Sequence, residues 1–295
     1  MDDNKELSLF YFFCYNIFKK GQIMKKIFFL ILFSSFLFSN TCNLPKNIKK
    51  IVNELKVNPN ESDFFNNDLA NLCVKRISFN DENITWDFTL VWNPEDKGPF
   101  YYLPHDDEDA AFDTAVYSAN FYGGGFLAVN NNEERIYKGI DPNRNFYKNK
   151  YTKNILTIIN SFKEDYYPYI TLHNNKNGYK GNGGKGTISM LKEDKYHKSF
   201  PVKNISNKFG DLADEDNLIY LVGKNVNKKK VDVLNFYGIN VIYELVTKKT
   251  YDGSLSNYLV IEKNNDHYLN LESEMGNAKI QKKMLDLVIS FIDVF

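Results

Sequence analysis

The chain has no net charge, since 37 Lys and Arg are matched by 37 Asp and Glu over 295 residues. That balance leaves no electrostatic footprint for nucleic acid and no basic face for an anionic membrane, so any partner has to be recognised by local groups. An apolar run long enough to span a bilayer is also lacking: the run Ile27 to Phe38 holds 12 residues, too few for a comfortable span. No internal repeat and no wall-binding repeat is visible. The one biased stretch, NKNGYKGNGGKGTIS from Asn175, stops short of a phosphate loop because Gly186 separates Lys185 from Thr187, where the motif needs Lys followed directly by Ser or Thr. It reads as a loop beside a site.

Cysteines are scarce as well, at three, and their placement says something about compartment. Met24-Lys25-Lys26 gives a basic start, Ile27 to Phe38 an apolar core and Phe38-Ser39-Asn40 an end, the three parts of a signal peptide. Residues 1–23 then form an upstream extension that is not part of the mature protein, with Met24 as the start. Removing everything before residue 40 takes away five Lys and three acids, leaving 32 basic and 34 acidic residues. Cys14 is lost with the leader. Cys42 and Cys73 remain, and outside the reducing cytoplasm they are expected to pair, closing a loop worth ~3 kcal/mol in the chain-entropy model. The sequence SNTC lacks the small residue before Cys that a lipoprotein signal needs, so no lipid anchor is expected. Asn83-Ile84-Thr85 is an N-x-T acceptor. A periplasmic or secreted protein is the consequence.

What is present is a hydrophobic content of 43% with 16% aromatics, enough to bury a full core. Residues 41–83 are expected to form a helical N-terminal segment and residues 84–295 the main domain. Ile84 to Trp92 (ITWDFTLVW) has the β-branched and aromatic character of a strand. Helices are expected at Asp109 to Phe121, Thr152 to Phe162 and Val231 to Tyr237, with an amphipathic one from Ala278. Strands are expected near Phe126 to Val129, at YPYITLH ending in His173, at NLIYLVG and at NVIYELVT, with a strand pair around YLVIEKNNDHYLNLE. This alternation predicts an α/β fold with a mixed, largely parallel central sheet flanked by helices. Ligands of such sheets gather at the carboxyl ends of the strands, so polar residues there come first.

Histidine is scarce too, with four in the chain. One heads the acidic run His105-Asp106-Asp107-Glu108-Asp109. That run reads either as a solvated helix entrance with Asp109 as its cap or as an H-x-x-E metal pair, His105 and Glu108, awaiting a third ligand. His173 is the best third candidate because it ends the apolar run YITL. His197 and His267 sit in polar contexts and read as surface residues. Asp106 and Asp107 either orient the ligands or face water.

Two later stretches add to this. GIDPNRNF sets Asn143 beside Arg144 in a turn made by Pro142, and TYDGSLSNYLVIEKNNDHYLNLESEMG carries Tyr251, then Gly253-Ser254, then a strand ending in Glu272. Taken in order from Pro104 to Gly276, these features resemble the zinc carboxypeptidase family, in a compact bacterial branch. The resemblance implies Zn2+ held by His105, Glu108 and His173, with Asn143 and Arg144 on a substrate carboxylate, a group that arginine's planar fork suits. It also implies Glu272 as general base and Tyr251 as a substrate-facing tyrosine. Glu274, on the same side of the strand, is the rival base. Arg135 is the candidate for the family's oxyanion-stabilising arginine. The spacings from Glu108 to Asn143 and from Arg144 to His173 are shorter than in the digestive members.

The expected activity is therefore an exported zinc-dependent peptidase or amidase. Its substrate is a peptide or muropeptide amide near a free carboxylate, peptidoglycan stem peptides being the compartment's obvious example. A muramyl-alanine amidase on the same site, and a metal-free scaffold of the same fold, remain open. No nucleic acid, membrane anchor or obligate protein partner is expected.

Overall fold

Ten segments rich in Val, Ile, Leu and aromatic residues pair edge to edge in a computed structural model that describes residues 42–56, 67–177, 188, 190 and 195–295. The leader, the upstream extension, Cys14 and the glycine-rich residues 178–187 lie outside these. The strands are β1 (Asn53–Leu55), β2 (Cys73–Asp81), β3 (Ile84–Trp92), β4 (Phe100–Leu103), β5 (Gly125–Val129), β6 (Tyr169–Asn175), β7 (His197–Phe200), β8 (Leu218–Gly223), β9 (Asn240–Leu245) and β10 (Tyr268–Glu274). Their order across the sheet is β1-β2-β3-β5-β4-β6-β10-β8-β9-β7. The helices are α1 (Lys46–Lys49), α2 (Asp109–Phe121), α3 (Lys150–Phe162), α4 (Lys228–Phe236), α5 (Leu255–Glu262) and α6 (Ala278–Ser290).

A mixed α/β sheet flanked by helices is what the alternation predicted, but it is not largely parallel. Among the described strands four neighbouring pairs are parallel and five antiparallel. The parallel block β5-β4-β6-β10 lies in the middle, and antiparallel strands extend it on both sides. The reason is local: β2 and β3 are joined by a two-residue turn, which forces an antiparallel pair.

Alternation along the central strands sorts their side chains. In β6, Ile170 and Leu172 face the layer of α2, α4 and α6, and Leu269 and Leu271 of β10 do the same. Ala111, Ala115 and Ala119 of α2 and Met284, Leu285 and Val288 of α6 close over them, each large side chain contributing about 1.5–3 kcal/mol on burial. The opposite face packs against α3 and α5 through Ile155, Ile158, Leu255 and Leu259. His173 and Glu272 are register partners on the parallel pair β6-β10, so both project from that second face. A slip of one residue would send either to the wrong side.

Two expected elements differ. The described part of residues 41–83 holds α1, β1 and the whole of β2 rather than a helical unit, because CVKRISFND pairs along its whole length with ITWDFTLVW. The first half of YLVIEKNNDHYLNLE is helix α5, not a strand. Leu255 through Val260 are all buried, so no helical period shows in the sequence, while Ser254 caps the helix by accepting from the Asn257 N–H. Strand β4, four residues long, carried too short a signal to be read.

Cys42 and Cys73 are joined by a disulfide with a Cα–Cα distance of 5.3 Å and a sequence separation of 31. It ties the start of the described chain, with Leu44, Ile48 and Val52, to the core around β2. No helix among the described residues is long and apolar enough to cross a membrane. Replacing both cysteines with serine is expected to remove about 3 kcal/mol, lowering the unfolding midpoint by about 6–12 °C in a calorimetric scan; an unchanged midpoint would refute that role.

Candidate metal centre and cavity

His105 follows the end of β4 by two residues, and Glu108 sits at the N-cap position of α2. Glu108 makes no capping bond to its own helix; its carboxylate turns inward. Asp109, expected to be the cap, is instead the first helical residue, where its charge still favours the helix N-terminus. A backbone donor at that end is satisfied from another element: the Ala111 N–H donates to Asn174 Oδ1 at 3.0 Å. The Asn174 amide in turn donates to the His173 carbonyl and to Ser273 Oγ, each at 3.0 Å. Gln281 of α6 donates to the same His173 carbonyl at 2.8 Å and to Leu271 O at 3.1 Å. Asn174 and Gln281 thus lock α2, β6, β10 and α6 together at the site.

The three side chains converge. His105 Nδ1 lies 2.9 Å from Glu108 Oε1, His173 Nδ1 lies 3.2 Å from Glu108 Oε2, and the two Nδ1 atoms are 3.2 Å apart. One ligand atom from each falls within 4.8 Å of the others. All three residues are buried, and Glu108 Oε2 has no hydrogen-bond partner. Two imidazole nitrogens aimed at each other and a carboxylate oxygen left without a donor form a set that a cation satisfies better than hydrogen bonds do. His105 Nε2 faces Asp141 Oδ1 at 3.1 Å, which fixes the tautomer and leaves Nδ1 free to ligate. Asp141 also accepts from the Asn143 N–H at 2.8 Å, so one carboxylate sets both the imidazole and the Pro142 turn.

The electrostatics agree with the geometry. Burial works against a charged His105, yet Glu108 and Asp141 raise its pKa to about 9. Burial likewise opposes the charge on Glu108, but the two imidazoles hold it well below the usual carboxylate range. Asp141 falls to about 2, its burial being outweighed by the bond to His105. Two acids concentrated around two imidazoles create a field that favours a cation.

A cavity of about 60 Å3 opens beside this group. Its near end is formed by His105, His173, Arg135 and Glu272. Arg135 Nη1 contacts Glu108 Oε1 at 2.6 Å. Glu272 is buried, which raises its pKa, and Asn270 Nδ2 donates to its Oε1 at 2.7 Å. Glu274 is placed elsewhere: Asn177 donates to it, and it does not line the cavity. Asn143 and Arg144 line it as well. Asn143 Nδ2 is 3.4 Å from His173 Nε2; Arg144 pairs through Nε with Asp252 at 3.1 Å and donates through Nη1 to Asn143 O at 3.0 Å, which leaves three of its five donors. Tyr251 does not line the cavity. Its hydroxyl donates to the Phe146 carbonyl.

Several residues beyond the sequence candidates complete the site. Asp141, Asn270, Asp252, Tyr220 and Glu244 all belong to it, the last four lining the cavity. Asp141 was visible two positions before Asn143, and Glu244 interrupts the apolar strand NVIYEL just as Glu272 interrupts β10. Gly253 has φ +80°, and a Cβ there would stand 2.7 Å from the Arg144 carbonyl, so the Gly-Ser step is what lets the two cavity loops touch. Asp106 accepts from the Asn131 and Glu133 N–H groups at 2.6 and 2.9 Å, anchoring the loop that carries Arg135. His197 is not a bare surface residue, since its Nε2 lies 3.1 Å from Tyr220 OH.

No protein-family model and no curated protein sequence matches the chain. Among solved structures it is similar to a succinylglutamate desuccinylase/aspartoacylase from Rhodobacter sphaeroides, at 11% identity and a TM-score of 0.36 over 74% of this chain. It is also similar to a succinylglutamate desuccinylase from a Silicibacter species, at 11% identity and a TM-score of 0.39, covering 80% of this chain and 71% of that one. The chain spans 64% of the length of the first of these.

Asp141→Asn keeps the shape but removes the charge behind His105. Its metal affinity is expected to fall about 10–100-fold in a chelator competition assay, with the fold intact by circular dichroism; unchanged affinity would show that Asp141 does not support the ligand.

Proposed function

We propose that this chain is an exported zinc-dependent hydrolase that cuts an amide bond next to a free carboxylate, with peptidoglycan stem peptides as the substrate class. One observation carries the reading: His105, Glu108 and His173 offer ligand atoms within 4.8 Å of one another, and Glu272 projects from the same sheet face beside them. A metal-free scaffold would be favoured by a purified protein without zinc, or by those three lying too far apart for one ion; the distances give the second no support. A zinc held by them would act as a Lewis acid, polarising the scissile carbonyl and acidifying water.

The chain's own groups divide the remaining work. Arg144, with its unused donors, and Asn143 grip the substrate carboxylate. Arg135 stands where negative charge grows on the carbonyl oxygen, so its guanidinium stabilises that oxygen. Glu272 takes the proton of the attacking water on Oε2, because Asn270 already holds Oε1, and passes it to the leaving nitrogen. Glu274 is not needed in this scheme. Arg144 lines the same cavity as the metal group, which favours cleavage beside a carboxylate over a muramyl-alanine amidase.

The test is metal analysis of the purified protein together with digestion of muropeptides by wild type and Glu272→Gln. Stoichiometric zinc is expected, with turnover lost on chelation and reduced about 10²–10⁴-fold in the variant. Unchanged turnover in Glu272→Gln would reject this base.

A further inference from the structure

The far end of the cavity is built differently from the metal end. Glu244 of β9 lies there with its carboxylate buried. Tyr220 OH donates to Oε2 at 2.9 Å, and the Asn257 amide reaches Oε1 and Oε2 at 3.0 and 2.9 Å. These donors are neutral, and the basic side chain beside them is His197, the register partner of Glu244 on β7; its charge lowers the Glu244 pKa while burial, the larger effect, raises it. A carboxylate has about four lone-pair sites, and three of Glu244's are taken. Burying a carboxylate is costly unless its lone pairs find donors.

A second observation points the same way. Asn270, also buried, lines the cavity between Glu272 and Tyr220. Its Nδ2 is committed to the Glu272 carboxylate, which orients the amide, and its Oδ1 has no hydrogen-bond partner. The cavity wall therefore presents an unsatisfied amide acceptor near a buried carboxylate with an open lone-pair site, and a cationic N–H donor suits both. Arg144 does not fill that role: its contacts are with Asp252 and the Asn143 carbonyl, and Asn270 Oδ1 stays without a partner.

We propose that Glu244 and Asn270 form a subsite for a substrate ammonium or guanidinium group, so that the residue whose carboxylate is held by Arg144 carries a cationic side chain. This rests on the hydrolase reading of the same cavity. The substrate class narrows to amides of basic amino acids, meaning diamino acids or arginine-like residues. A cavity of about 60 Å3 is several times the space one water centre occupies, about 10–15 Å3, which suits a short aliphatic stem ending in a charged head.

The experiment is calorimetric titration of the purified mature protein with lysine and with norleucine, which keeps the four-carbon stem but lacks the ammonium, each as both enantiomers, for wild type and Glu244→Gln. These ligands are the products of the proposed reaction, so binding is read without turnover. Lysine is expected to bind wild type at least about 10-fold more tightly than norleucine, and Glu244→Gln to bring the two within about 3-fold. Equal affinities in wild type, no binding of lysine at millimolar concentration, or a preference that survives Glu244→Gln would overturn the proposal. If the variant fails to fold, the lysine-to-norleucine comparison in wild type still decides. Absence of amide hydrolysis with the lysine preference intact rejects the hydrolase reading alone, whereas hydrolysis without the preference rejects this subsite alone.

Discussion

Three adjacent parallel strands, β4, β6 and β10, end side by side, and the site depends on that alignment. Parallel pairing sends successive carboxyl ends to one edge of the sheet, so the loop after β4, the last turn of β6 and the last turn of β10 meet there. His105 and Glu108 come from the first, His173 from the second and Glu272 from the third. Neither imidazole could reach its partners from an antiparallel arrangement of the same strands, because the ends would then lie on opposite edges.

The alignment is held by buried polar bonds as well as by packing. Asn174 and Gln281 bind the His173 carbonyl from two sides and tie it to the start of α2 and to α6. Asp141 links the imidazole of His105 to the turn that presents Asn143 and Arg144. Buried networks of this kind are costly when broken, since each lost partner strands a polar group in a low-dielectric interior. The same low dielectric makes a cation between the two imidazoles and Glu108 more favourable than it would be in water.

Much of the site was legible because each of its residues breaks a pattern. His173 and Glu272 end apolar strands, His105 and Glu108 stand at helical spacing at a helix start, and Asn143-Arg144 follow a proline that fixes a turn. Asp141 escaped notice because an acid before proline already has a local explanation as a turn residue, and the structure gives it that role too. Glu244 was hidden for another reason. A single acid within NVIYEL looks like the solvent-facing position of a strand, and its burial follows from α5 covering that face. The direction of the outer strands was illegible, because apolar alternation is the same for parallel and antiparallel neighbours and depends on how each connection crosses. Helix α5 was misread because it is buried through most of its length, which erases the period that distinguishes helix from strand.

The proposed chemistry requires that His105, Glu108 and His173 share one ion. X-ray absorption at the zinc edge of the purified protein, compared with His173→Ala, reads that shared coordination. About one zinc per chain, with scattering from two imidazoles and oxygen that drops to one imidazole in the variant, is the predicted result; a protein that holds no metal, or a metal environment unchanged by His173→Ala, would contradict it.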